Sequence, residues 1–131
     1  MCLRAAISKW NGKYVSDLED IYKIHATQAE FVNNLLDLIA DGTYQSGATW
    51  LLKHYLEKGN SLRNSDVSRV YEMLKTLVPW QAKLHVLQSV EYLPIAEDDA
   101  KLFEQFLRKA ITDNNKFVRA WAYNGFYLLA K

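Results

Sequence analysis

The side chains with catalytic or metal-binding potential are few and scattered. The three histidines are His25, His54 and His85. None forms a His-x3-His pair beside a carboxylate, the spacing that sets two imidazoles on one helical face for zinc. His54 and Glu57 stand three residues apart and can touch on a helix, but a surface hydrogen bond is the commoner meaning of such a pair. Cys2 is the single cysteine. One thiol makes neither an internal disulfide nor a cysteine-rich zinc site, and beside Met1 it is a weak candidate nucleophile. Glu97, Asp98 and Asp99 are adjacent carboxylates whose place at a helix start is explained by the helix dipole; the same holds for Asp17, Glu19 and Asp20. There is no Gly-rich phosphate loop and no nucleophile elbow. The expectation is a protein that is not an enzyme and holds no metal or cofactor.

The elements that must position any functional surface read as helices. The chain has 131 residues, about half of them hydrophobic and a quarter charged, a balance suited to one globular domain with a real core. Only 5 Gly and 2 Pro punctuate it, which suits helices joined by short loops. The 16 basic and 15 acidic residues nearly cancel, whereas a dedicated nucleic-acid binder shows a basic excess. No apolar run is long enough for a signal peptide or a membrane span. The reading is cytoplasmic, with no membrane partner.

Asn11-Gly12-Lys13 reads as a turn. Ser16 with Glu19 forms a capping box for a short helix from Asp17 to about Ala26, and Thr27 with Glu30 repeats it. Phe31, Leu35, Leu38 and Ile39 make one face of the next helix, which Asp41-Gly42 ends. Helices follow from about Ser46 to Lys58, from a Ser65 cap to Val78, from Trp80 to Tyr92, to Ile111, and from Lys116 to Ala130. Pro79 and Pro94 separate them. No period-2 alternation competes.

Ala48, Ala82 and Val118 occupy equivalent positions in three of these helices, 34 and 36 residues apart. That spacing is a helix-pair repeat. Inner faces then carry Ala48, Leu52 and Leu56; Ala82, Val86 and Val90; and Val118, Ala122 and Phe126. The expected architecture is all-α: an N-terminal helical segment (1–26) followed by three antiparallel helix pairs (27–59, 65–93 and 97–131) stacked as an α-solenoid in one domain.

The run Asp113-Asn114-Asn115-Lys116-Phe117-Val118-Arg119-Ala120-Trp121-Ala122 resembles the second-helix signature of the HEAT-repeat family, in which an Asp precedes a Val-Arg pair. The resemblance extends over about 28–131. Earlier units depart from it, with Lys83 and Thr49 at the Arg position and no evident preceding Asp; armadillo-like arrangements and irregular bundles remain open. The resemblance implies that Asp113 and Arg119 staple neighbouring repeats and that the second helices line a concave side.

At about 100° per residue, the outward face of the last helix is Ala120, Tyr123, Asn124 and Tyr127. The same register gives Leu84, Leu87, Gln88 and Glu91, then Trp50, Lys53, His54 and Glu57. The expected partner-binding groove carries Lys53, His54, Glu57, Gln88, Glu91, Asn124 and Tyr127, edged by Trp50, Trp121 and Tyr123. Mixed aromatic and polar surfaces of this kind serve recognition. The alternative is that the aromatics fill gaps between repeats and the charges are solvated surface. The last helix also shows an apolar face in need of a cover: a partner, a second copy in a homo-oligomer, further residues, or the N-terminal segment.

Three functions compete. The first is a non-catalytic scaffold or adaptor that binds a protein or peptide partner. The second is a nucleic-acid-binding protein resembling the HEAT-like glycosylases that remove alkylated bases, with Lys53, Lys83, Lys116 and Arg119 on phosphates; the charge balance, Glu57 and Glu91 oppose it. The third, a chromophore-lyase-related role, rests on the fold resemblance alone.

Overall fold

A computed structural model describes residues 1–131 as eight α-helices with no strand. They are α1 (Leu3–Ser8), α2 (Val15–His25), α3 (Phe31–Asp41), α4 (Gln45–Glu57), α5 (Asn64–Met73), α6 (Trp80–Ser89), α7 (Glu97–Ala110) and α8 (Lys116–Ala130). Single 3-10 turns, Leu74–Thr76 and Val90–Tyr92, extend α5 and α6.

The helices pack in two rows. α1, α3, α5 and α7 touch in succession, and so do α2, α4, α6 and α8. Direct packing also joins α1 to α2, α3 to α4, and α7 to α8. α5 and α6 are held instead chiefly through their neighbours, so the unit at 65–93 is not the tight antiparallel pair expected of it. The N-terminal segment is itself a helix pair, whose first helix the sequence patterning missed. With six residues, α1 is too short to show a helical period; it forms because Leu3 and Ile7 are buried.

The buried apolar residues form one cluster of 29, from Leu3 to Ala122. It includes Leu35, Leu36, Leu38 and Ile39 of α3 and Ala48, Leu51 and Leu52 of α4, two helices that pack on each other. It also includes Phe103, Leu107 and Ala110 of α7 and Val118 and Ala122 of α8, which likewise pack together. Gly125 lets those two helices approach closely, since a Cβ there would sit 2.5 Å from Cδ2 of Leu107.

Helix ends follow the sequence in some places only. Gly42, at φ 79°, closes α3 in the left-handed conformation that favours glycine. The Asn115 side chain accepts from the amides of Phe117 (2.9 Å) and Val118 (3.2 Å) and starts α8. The capping boxes are not used. α2 already begins at Val15, which puts Ser16 inside its first turn, and Thr27 to Glu30 precede α3. Ser65 likewise lies inside α5, whose N-cap is Arg63. A cap contributes only about 1 kcal/mol, and the burial of Leu18, Phe31 and Val67 outweighs it in setting where these helices start.

Polar links tie each unit to the next. The buried amide of Gln45 donates to the carbonyls of Ile39 (2.9 Å) and Thr76 (3.0 Å) and accepts from the Val78 amide (3.0 Å). Arg69 on α5 bonds Asn33 and Asp37 on α3. The hydroxyl of Ser68 donates to Asp99 (2.8 Å), and that of Tyr71 to the Leu93 carbonyl (2.8 Å). Lys83 on α6 pairs with Asp113 (3.2 Å) before α8.

Candidate interaction surface

The nominated residues of α4 sit in two environments. Trp50, expected at the groove edge, is only 8% exposed. Its ring stacks on the His54 imidazole (4.7 Å, 15°), and Tyr22 of α2 meets the other side of that imidazole edge-on (4.6 Å, 88°). This burial corrects the sequence expectation: α4 packs against α2, α3 and α6, and Trp50 lies against His54 on a flank that the repeat register had left open. His54 is half-buried between the two rings. Burial holds its pKa below the ordinary value, assisted by Lys58 and opposed by Glu57 and Glu19. Lys53 reaches both oxygens of Glu57, at 3.2 and 3.3 Å.

On α6 the outward strip is narrow, because α4 and α8 flank this helix on both sides. Gln88 is half-buried and Glu91 exposed. Leu87, placed outward by the register, is fully buried, and Leu84 is half-buried. The 3-10 turn changes the rotation per residue and brings out Tyr92, which patterning did not nominate. Hydrogen bonding to Glu91 pushes the Tyr92 phenol above its usual pKa, and nearby Glu57 adds to this. Glu57, Glu91 and Tyr92 therefore form one acidic, phenolic patch across α4 and the end of α6.

α8 supplies the strongest feature. Tyr123 is 65% exposed and Tyr127 62%. Asn124, between them, is half-buried. Trp121, nominated as an edge, is half-buried against the core. Spaced four apart, the two tyrosines form one ridge on the solvent side of α8.

The residues of the signature-like run do two separate jobs. Asp113 bonds Lys83 of the preceding unit, while Arg119 donates to the carbonyls of Asp113 (2.7 Å) and Asn114 (3.0 Å) within its own turn. Hydrogen bonding from the Asn115 amide, then Lys83, keeps the Asp113 carboxyl below its usual pKa.

No three His, Cys, Asp or Glu side chains converge on a common point. No helix is long and apolar enough to cross a membrane. No family model, no curated protein and no solved structure matches the chain.

Proposed function

We propose that the chain is a non-catalytic interaction module, a HEAT-like helical-repeat scaffold or adaptor of the cytoplasm. In this reading its second helices form a surface for a protein or peptide partner. The Tyr123–Tyr127 ridge carries it. Two large aromatic side chains stand mostly in solvent on a well-packed helix, Tyr127 touched only by the terminal Lys131, whose ammonium lies 5.2 Å from its ring centroid, and tyrosines are prominent among residues that anchor interfaces. Lys53, Glu57, Gln88, Glu91 and Asn124 supply the polar surround.

The repeat character is supported by the sequence separation of the polar links. Lys83–Asp113, Gln45–Thr76, Ser68–Asp99, Thr49–His85 and Arg69–Asn33 lie 30 to 36 residues apart, close to the 34 and 36 of the sequence pattern. The exposed, solitary Cys2 thiol fits a reducing compartment. Nucleic-acid binding is the weaker reading, because Lys53 and Lys83 are each paired with a carboxylate and Arg119 is bound to its own turn.

The test is affinity purification of the tagged protein beside its Tyr123→Ala/Tyr127→Ala variant. A protein recovered with the wild type and lost with the variant, at unchanged helix content, supports the ridge. Equal recovery from both overturns it.

A further inference from the structure

We propose that one edge of the molecule, basic where the other is nearly balanced and separate from the second-helix ridge, docks peripherally on an anionic lipid surface. This edge is built from the four turns that lead into the second helices, at residues 9–14, 42–44, 77–79 and 111–115. Side chains join these turns in order. Ile7 and Trp10, before and in the first turn, lie against Gly47, just after the second; a Cβ on Gly47 would be 3.1 Å from Ile7 and 3.4 Å from Trp10. Gln45 links the second turn to Thr76 and Val78 at the third. Lys83 links the first turn of α6 to Asp113 in the fourth.

Along that line stand Tyr14, Val15, Tyr44, Val78, Trp80 and Phe117, six of the eleven exposed large apolar side chains. Val78, in the Leu77-Val78-Pro79-Trp80 turn, is 79% exposed. None of the six lines a principal cavity of the protein. They are projecting tips, suited to a plane and not to a ligand that needs enclosure.

The charge on this edge is one-sided. Lys9, Lys13, Lys75, Lys109 and Lys116 belong to no ion pair. Of the acids here, Asp41 is paired with Arg4 and Asp113 with Lys83. Asp17 is the one unpaired acid beside the turns; Glu19, Asp20 and Glu72 stand a turn further away. At the opposite edge the unpaired charges nearly balance: Glu30, Glu91, Glu97 and Asp98 against Lys23, Lys58 and Lys131, the last of which lies beside Glu91. The net charge near +1 thus conceals a basic, aromatic edge.

Aromatic rings favour the interfacial zone of a bilayer and lysines its anionic headgroups. The combination at separate tips matches the chemistry of interfacial anchoring, in which apolar side chains enter the headgroup boundary while basic ones stay above it. A nucleic acid would use the lysines and rings but leave Val15 and Val78 without a role. Such docking needs no spanning helix. The sequence expectation of no membrane partner rested on continuous apolar runs, and tips dispersed over four turns produce none.

The experiment is co-sedimentation of the full chain with vesicles of phosphatidylserine and phosphatidylcholine, beside vesicles of phosphatidylcholine alone. Wild-type protein is expected to pellet with the anionic vesicles only, and to be released by ~1 M salt, which shortens the Debye length to about 3 Å. Val78→Glu and Lys13→Glu/Lys75→Glu alter exposed positions and should keep the helical circular dichroism spectrum. Each should weaken vesicle binding by roughly tenfold or more. Absence of wild-type binding to anionic vesicles at low salt overturns the proposal. So does unchanged binding by both variants, or retention on single-stranded DNA or RNA without retention on vesicles.

Discussion

The hydroxyl oxygen of Thr49 on α4 lies 3.0 Å from Nδ1 of His85 on α6. The same hydroxyl is 2.7 Å from the Gln45 carbonyl, to which it donates. With its hydrogen directed at that carbonyl, the hydroxyl oxygen is free to accept from a neutral His85 ring protonated at Nδ1. Burial, and then the nearby charge of Lys53, lower the His85 pKa to about 4 from an ordinary 6.5.

That depression makes stability depend on pH. Between pH 6.5 and about 4 the unfolded chain takes up a proton at His85 that the folded chain refuses, so stability falls as pH falls. Above pH 6.5 the contribution is fully present. Its complete loss at low pH amounts to about 3 kcal/mol. Urea melts of wild type and His85→Gln across this range should show a shallower acid slope in the variant. Parallel slopes would remove the assignment.

Gln45→Leu should be among the most destabilising single changes. It strips hydrogen bonds from the Ile39 and Thr76 carbonyls and from the Val78 amide together. Leaving buried backbone groups unsatisfied costs about 1–3 kcal/mol each where water cannot reach them, so a loss of about 3 kcal/mol is expected from denaturant midpoints. Gln45→Glu should be no better, because its carboxylate faces two carbonyl oxygens.

Gly125→Ala tests the close approach of α7 and α8. The added methyl meets Leu107 Cδ2 at 2.5 Å and Phe103 Cζ at 3.2 Å. Overpacking of this kind costs about 1–3 kcal/mol, against a helix-propensity gain of about 1 kcal/mol for replacing glycine. A net destabilisation is expected, partly relieved by a second change, Leu107→Val. A more stable single variant would show that Leu107 moves aside freely.

Tyr123→Ala/Tyr127→Ala should leave thermal stability within about 0.5 kcal/mol per site, because both rings stand mostly in solvent. Partner capture should fall while the melting midpoint stays in place. A large drop in the midpoint would mean that the ridge serves folding.

The all-helical class was legible from the sequence, and so were the bounds of α8, because the polar turn ending at Asn115 precedes it and Val118, Ala122 and Gly125 mark its inner side. Tyr123 and Tyr127 were placed outward by the same periodicity. α1 and the burial of Trp50 were not legible. A six-residue helix has no measurable period, and the burial of Trp50 depends on neighbouring helices that the register of α4 alone does not place. The exposure of Tyr92 was hidden for another reason: α6 ends in a 3-10 turn, where the 100° rotation assumed for every residue fails. The caps at Ser16, Thr27 and Ser65 were over-read because local preference is weak beside tertiary burial.

The link between Arg4 and Asp41 spans 37 residues, and no side-chain hydrogen bond of the molecule spans more. Such a chain has low contact order, so little loop-closure entropy opposes its early steps. Refolding should be rapid for 131 residues, and each completed unit offers its neighbour a ready template. Amide exchange should then grade along the rows, slowest around the central α4 and α6 and fastest in α1, so that the molecule frays from its ends as a zipper does.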